Sequence, residues 1–208
     1  MKKKDFIDYY NANRVEIKSI IPENVKTILD VGCGTGATWK NEEKFIVTGI
    51  EINPEIAREA EENLYKVVID DVEKIELGNA KFDCIVFADI LEHLYNPWDV
   101  LKKYKEYLKD NGFIVASIPN IQFYKILRKL IFKGEWQYKD YGILDIDHIR
   151  FFTLKTIIRL FKSADIEIVK INRKFKGSKR YRYISKLFFN SFDNFLTAQF
   201  IILGKKND

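Results

Sequence analysis

The chain has 208 residues, of which 47% are hydrophobic and 31% charged, and this is enough apolar material to fill one core, so we expect a single domain over residues 1–208. The net charge of +5 is too mild to indicate a nucleic-acid partner, and two cysteines, Cys33 and Cys84, are too few for a disulfide framework. The basic start is followed by no apolar run, and no later stretch is apolar enough to cross a bilayer, so we expect a cytoplasmic protein.

Strand-like and helix-like stretches alternate along residues 27–120, which is typical of a parallel sheet covered on both faces. Short apolar runs predict strands at residues 27–30, 45–50, 67–69, 84–88 and 113–118. Helices are predicted at residues 54–65 and 97–109, each opening with a proline, and Asn111-Gly112 is expected to stop the second. The alternating pattern requires a helix after the first strand, but the stretch available for it, residues 37–44, is shorter and more polar than the other predicted helices.

The tail differs from this alternation. A helix is predicted at residues 154–163, a strand at 166–171 and a last strand at 197–203, with no usual crossover helix between the strands, which indicates an antiparallel edge. Basic residues at 173–186 precede an aromatic stripe at 184–196 that repeats at helical spacing. We favour packing within the chain or a dimer contact for this stripe, and therefore a monomer or homodimer; an anionic membrane surface and RNA are the alternatives.

A glycine-rich turn follows the first predicted strand, with the sequence Asp30-Val31-Gly32-Cys33-Gly34-Thr35-Gly36. Glycines at every second position allow a sharp turn and let the backbone approach a ligand closely. Asp30 falls at the strand end, where its carboxylate would favour a ligand with a positive charge, such as an ammonium group. The pyrophosphate of a dinucleotide would be repelled there.

Several ordered motifs resemble those of class I S-adenosylmethionine-dependent methyltransferases, of the small-molecule branch that includes ubiquinone-type and glycan-associated enzymes. They are residues 29–36, 48–51, 71–73, 82–83, 89–94 and 117–120. The resemblance implies an α/β, Rossmann-like fold with a seven-stranded, mostly parallel sheet, an antiparallel last strand and helices on both faces. It also implies methyl transfer to a small-molecule acceptor, with S-adenosylmethionine as cofactor and S-adenosylhomocysteine as product.

The domain then divides into an N-terminal cover (1–26), a cofactor-binding core (27–120), a lid insertion (121–150) and a C-terminal part of the sheet (151–208). Aromatic residues in the insertion predict a lid with an aromatic wall. Its lysines and arginines favour an anionic acceptor, such as a phosphorylated or nucleotide-linked sugar, with an oxygen or nitrogen nucleophile.

Carboxylates at strand ends suit the cofactor. Glu51 lies at the end of the second strand, where it can accept hydrogen bonds from both ribose hydroxyls. By resemblance, Asp71, or adjacent Asp70, meets the adenine amino group, and Asp89 borders the methionine part. The expected cofactor-binding residues are Asp30, Gly32, Cys33, Gly34, Gly36, Glu51, Ile52, Asp70, Asp71, Val72, Ala88 and Asp89.

Two histidines occur in the chain, His93 and His148, and both are candidates for a catalytic base, with a structural hydrogen-bonding role as the alternative. Glu92 and His93 are also metal-ligand types, but His148 and the remaining acids show no compact ligand spacing, so we predict no metal.

Two other functions remain open. Residues 32–37 fit a loose dinucleotide-binding pattern, so a nicotinamide-dependent oxidoreductase is one alternative; Asp30 and residues 89–94 favour the methyltransferase. The other alternative is a cofactor-binding scaffold subunit without catalysis.

Overall fold

The protein is described by a computed structural model over residues 13–176 and 192–207. Within these ranges one sheet is built from β1 (Thr27–Val31), β2 (Ile46–Glu51), β3 (Lys66–Ile69), β4 (Phe82–Ala88), β5 (Leu108–Pro119), β6 (Ile166–Phe175) and β7 (Thr197–Lys206). The strand order is β3-β2-β1-β4-β5-β7-β6, and β7 runs antiparallel to both β5 and β6. The predicted α/β class and the antiparallel last strand are therefore confirmed.

Helices flank the sheet in the same ranges: α1 (Val15–Lys18), α2 (Pro54–Ala60), α3 (Pro97–Lys105), α4 (Tyr124–Lys133), α5 (Leu154–Ser163) and α6 (Asp193–Leu196). The prolines open α2 and α3 as predicted, each behind an asparagine that caps the helix. The Asn53 side chain accepts hydrogen bonds from the backbone N–H groups of Glu55 and Ile56 at 2.9 and 3.4 Å, which satisfies donors that the first turn leaves unpaired.

Both faces of the sheet are buried. Successive strand residues point to opposite faces, so Leu29 and Ile85 join one core cluster while Ile28 and Cys84 join the other. All four are fully buried. A parallel sheet with both faces covered leaves its strand ends as the accessible edge for a ligand.

Helix α3 corrects one prediction, because it ends at Lys105 and not at residue 109. Leu108 already pairs with Phe82 in the sheet, and the N–H of Phe82 donates to the carbonyl of Tyr107 at 2.9 Å. Asn111 has a φ of 59° within the irregular start of β5. The Asn111-Gly112 pair therefore marks a bulged strand, since sheet pairing competes with the last helical turn and wins.

Other differences are smaller. The expected helix at 54–65 ends at Ala60, and residues 37–44 form only a 3₁₀ turn, Ala37–Trp39. Most of the predicted aromatic stripe lies outside the described residues. Across the described ranges, none of the helices combines the length and the apolar character needed to span a membrane.

Candidate active site

A crevice opens at the carboxyl ends of β1, β2 and β4, where the strand order reverses on either side of β1. It contains a cavity of about 260 Å³. Among the predicted site residues, those lining it are Asp30, Gly32, Cys33, Gly34, Glu51, Ile52, Ala88, Asp89 and His93. Gly36, Asp70, Asp71, Val72 and His148 do not line it.

The glycine turn has the backbone conformation that is expected of a glycine-rich sequence. Gly32, Gly34 and Gly36 have φ values of +72°, +57° and +70°, in the left-handed region that other residues rarely adopt. A Cβ atom on Gly32 would lie 2.8 Å from Cδ1 of Ile90. Conformation and space therefore both require glycine at this position.

Asp30 is a buried carboxylate, and only one of its two oxygens has a hydrogen-bond partner among the described residues. Its Oδ2 atom accepts a hydrogen bond from the indole N–H of Trp39 at 2.6 Å, whereas Oδ1 has no hydrogen-bond partner among the described residues. Burial raises the pKa of Asp30 to about 6, against the opposing effects of the Trp39 hydrogen bond and the charge of Arg14. An unpartnered buried acceptor at the floor of a cleft favours a cationic donor from a ligand.

Glu51 is also buried, and it is held by the backbone around the turn. Its Oε2 accepts from the N–H of Gly34 and its Oε1 from the N–H of Asn53, both at 3.0 Å. Each carboxylate oxygen can accept a further hydrogen bond. The side chain is therefore fixed in place, and its two oxygens can still accept hydrogen bonds from the two hydroxyl groups of a diol.

Asp89 follows β4 with a φ of 56° and is held from three sides. Its Oδ1 accepts from the hydroxyl of Ser117 at 2.7 Å and from the amide of Gln199, and its Oδ2 pairs with Arg14. β5, β7 and the N-terminal segment thus fix one carboxylate at the cavity wall.

Asp70 and Asp71 lie beside the crevice in a turn that they stabilise. Asp71 pairs with Lys74 at 2.7 Å and accepts from the N–H of Glu73 at 2.9 Å; the Lys74 hydrogen bond lowers the pKa of Asp71. Val72 is buried in the core. An adenine contact by either aspartate stays a prediction.

A second cavity of about 340 Å³ adjoins the first, and both are lined by Asp89 and Asp145. Glu92 and His148 line only the second cavity, together with apolar groups such as Phe175 and Ala198. His93 lines the first. The boundary between the two spaces is therefore formed by groups able to carry charge or protons.

The two histidine rings meet at this boundary, edge to face, with centroids 4.6 Å apart. His93 Nδ1 lies 3.1 Å from the carbonyl of Asp147, and His148 Nδ1 lies 3.1 Å from the carbonyl of Ile143. A carbonyl only accepts, so each Nδ1 carries the donated proton, and a neutral ring has its lone pair on Nε2. Burial is the main cause that lowers the pKa of both histidines.

Sequence reasoning missed the acids of the insertion. Asp140, Asp145 and Asp147 line the first cavity, as does Arg14. Three residues of the expected aromatic wall, Trp136, Tyr138 and Tyr141, are exposed and line neither cavity, so an aromatic wall around the acceptor stays a prediction. The cluster of aspartates between residues 140 and 147 was the available signal.

Comparisons with known proteins show the family and the fold. A family model described as "Methyltransferase domain" matches residues 7–171. A solved structure of an S-adenosylmethionine-dependent methyltransferase from Archaeoglobus fulgidus matches with a TM-score of 0.72 at 18% identity, covering 99% of this chain and 100% of that one. The chain therefore belongs to the methyltransferase-domain family, and it is an S-adenosylmethionine-dependent methyltransferase.

Among sequence relatives, an uncharacterised protein of Methanocaldococcus jannaschii is 28% identical over 203 residues, which is 88% of this chain and 80% of that protein. A ubiquinone biosynthesis O-methyltransferase of Glaesserella parasuis is 30% identical over 108 residues, which is 46% of each chain.

Proposed function

We propose that the protein methylates an oxygen nucleophile of a small molecule held in the second cavity. The observation that carries this proposal is the shared boundary of the two cavities, with Asp89 and Asp145 on both sides and His93 close to His148. The first cavity suits the cofactor and the second suits the acceptor. At the boundary between them, the acceptor hydroxyl would lose its proton as it is methylated.

The first cavity fits S-adenosylmethionine. The unpartnered Oδ1 of Asp30 suits the ammonium group of the methionine part, and the remaining acceptor capacity of Glu51 suits the two ribose hydroxyls. When bound, the cofactor supplies a methyl group already activated on a sulfonium. The acidic lining, with three aspartates from the insertion, favours that positive charge.

The chain's own contribution is then mainly placement. Holding the acceptor oxygen in line with the methyl carbon, about 3–3.5 Å away, can contribute roughly 7–11 kcal/mol, whereas a general base contributes about 10²- to 10⁴-fold. The neutral histidines on the cavity boundary are candidates to accept the hydroxyl proton. Asp89 is rigid enough to position one wall because three elements hold it.

The second cavity also indicates the class of acceptor. Apolar side chains, Phe175 and Ala198, line it beside Lys174 and Lys176. Lys174 is already paired with Glu16, so these features favour an acceptor with an apolar body, a hydroxyl near His148 and a negatively charged group near Lys176. The Glaesserella parasuis relative is a ubiquinone biosynthesis O-methyltransferase, which supports an oxygen nucleophile here too.

The test is transfer of a labelled methyl group to hydroxylated aromatic acids, quinone precursors and sugar nucleotides, with wild-type protein, Asp30→Asn and the surface control Glu55→Gln. We expect turnover on a hydroxylated aromatic acceptor, strongly reduced in Asp30→Asn and unchanged in Glu55→Gln. Tight cofactor binding without turnover on any acceptor would instead support a scaffold subunit.

A further inference from the structure

Glu92 is the least satisfied polar side chain at the boundary of the two cavities. It is 1% exposed, and neither carboxylate oxygen has a hydrogen-bond partner among residues 13–176 and 192–207. Buried carboxyl groups are normally paired or hydrogen-bonded, because a buried group without a partner loses its hydrogen bonds to water and gains none in exchange. Such a group indicates a missing cationic partner.

Two imidazoles face this carboxylate. Ligand atoms of Glu92, His93 and His148 all lie within 4.8 Å of one another, and His148 Nε2 is 3.8 Å from Oε1 of Glu92. The sequence predicted no metal because His148 lies far along the chain from Glu92 and His93. In the folded chain the three residues are close together. Contraction around an ion would bring these atoms to bonding distance, about 2.0–2.2 Å from a zinc-sized centre.

The histidines are oriented as metal ligands are. Each Nδ1–H donates to a backbone carbonyl, of Asp147 and of Ile143, at 3.1 Å, which fixes the ring and directs the Nε2 lone pair. Metal-binding histidines almost always donate their other ring N–H in this way, because the hydrogen bond sets the tautomer and raises ligand basicity.

The backbone holds the three residues together. The N–H groups of Ile149 and Arg150 both donate to the carbonyl of Glu92 at 3.0 Å, so the end of the insertion is attached to the turn that carries Glu92 and His93. Asp145, which is 5% exposed, adds negative charge beside the cluster. Glu92 and His148 are therefore buried and His93 is partly buried, and the negative charge of Asp145 acts at Glu92 against the positive charge of Arg14.

We propose that Glu92, His93 and His148 bind one divalent cation of the borderline class, such as Zn²⁺ or Co²⁺. Two imidazole nitrogens and one carboxylate suit these ions better than Ca²⁺ or Mg²⁺, which prefer oxygen ligands. Three protein ligands leave a position open, as in catalytic metal sites, and that position faces the second cavity because Glu92 and His148 line it.

The role of the ion rests on the proposed function. At the open position it would bind the acceptor hydroxyl and lower its pKa, so that the proton leaves to water. The oxygen–carbon bond then forms as the carbon–sulfur bond breaks, giving a methyl ether, S-adenosylhomocysteine and one proton. A ligated imidazole cannot also accept a proton, so in this scheme the ion, and not a histidine, activates the acceptor.

The test begins with direct binding. Protein stripped with a chelator is titrated with Co²⁺, and the visible d–d spectrum and the bound metal per chain are measured for wild type, Glu92→Gln, His148→Gln and the surface control Glu55→Gln. We expect one ion per chain in wild type and control, and affinity lower by more than about 100-fold in the two ligand variants, since even residues that only orient ligands contribute 10- to 100-fold. Calorimetry with S-adenosylmethionine checks that both variants remain folded and bind cofactor.

Absence of stoichiometric Co²⁺ binding, or binding that both variants retain, would overturn the metal site. Methyl transfer that proceeds unchanged after chelation would also overturn it, while leaving the proposed function in place. A bound ion in a protein that fails to methylate any acceptor would support the site but contradict the proposed function.

Discussion

The indole N–H of Trp39 donates a 2.6 Å hydrogen bond to the carboxylate of Asp30, which lines the first cavity. Trp39 is 2% exposed and belongs to the core on one face of the sheet. The packed core therefore fixes the orientation of the carboxylate, and its other oxygen has no hydrogen-bond partner among the described residues.

Replacing Trp39 with Phe should weaken S-adenosylmethionine binding about 10-fold, because a hydrogen bond to a charged group contributes ~1.5–3 kcal/mol. Calorimetry measures the affinity. Trp98→Phe is the matched control, since Trp98 is 41% exposed on α3. Equal affinities in the two variants would show that Trp39 only packs.

Cofactor binding should weaken in acid because the pKa of Asp30 is raised to about 6. Below that pH the empty site holds a neutral carboxyl group, so a cationic ligand must displace a proton. We expect the dissociation constant to rise by up to about 10-fold per pH unit below pH 6, and the dependence to vanish in Asp30→Asn. Titrations between pH 5 and 8 in buffers of different ionisation enthalpy would also detect the proton release. A flat profile in wild type would contradict this.

Asp83 should stabilise the fold in a pH-dependent way. Its pKa is lowered to about 2, because hydrogen bonds from Lys109, Thr27 and the N–H of Lys26 outweigh the opposing effect of burial. A lowered pKa in the folded state contributes stability that is present above about pH 4 and is lost as the pH falls toward 2. Urea unfolding across this range should show the loss in wild type.

Asp83→Asn should reduce the free energy of unfolding by about 1–2 kcal/mol at pH 7 and remove the acid-dependent part, since donors lose a charged acceptor. Asp110→Asn, an exposed position in β5, is the control. A parallel acid dependence in both variants would assign the effect to other carboxylates.

The glycine turn offers a test of geometry. Gly32→Ala combines a φ of +72° with a Cβ 2.8 Å from Ile90, whereas Gly134→Ala has a φ of +62° with nothing within 4 Å. The backbone strain, about 1–2 kcal/mol, is common to both. We expect Gly32→Ala to lose more stability in thermal unfolding and to lose most of its cofactor affinity. Cofactor binding by Gly32→Ala at wild-type strength would show that the turn tolerates a side chain.

Sequence patterns were sufficient for much of the fold. The predicted strands at 27–30 and 84–88 lie within β1 and β4, and α5 has the predicted bounds, because apolar periodicity and prolines act locally. Sheet pairing joins residues far apart in the chain. Because Leu108 pairs with Phe82, α3 ends at Lys105 and not at the predicted residue 109.

In the site, residue types along the chain were enough to predict the glycine turn and the carboxylates of Asp30 and Glu51 at strand ends, because the backbone freedom of glycine and the charge of a side chain are local properties. Only the folded chain shows that Asp140, Asp145 and Asp147 line the first cavity and that the ring of His93 contacts that of His148 beside Glu92. These contacts join segments far apart in the chain, and their geometry depends on backbone hydrogen bonds between the insertion and the turn after β4, which spacing along the sequence does not encode.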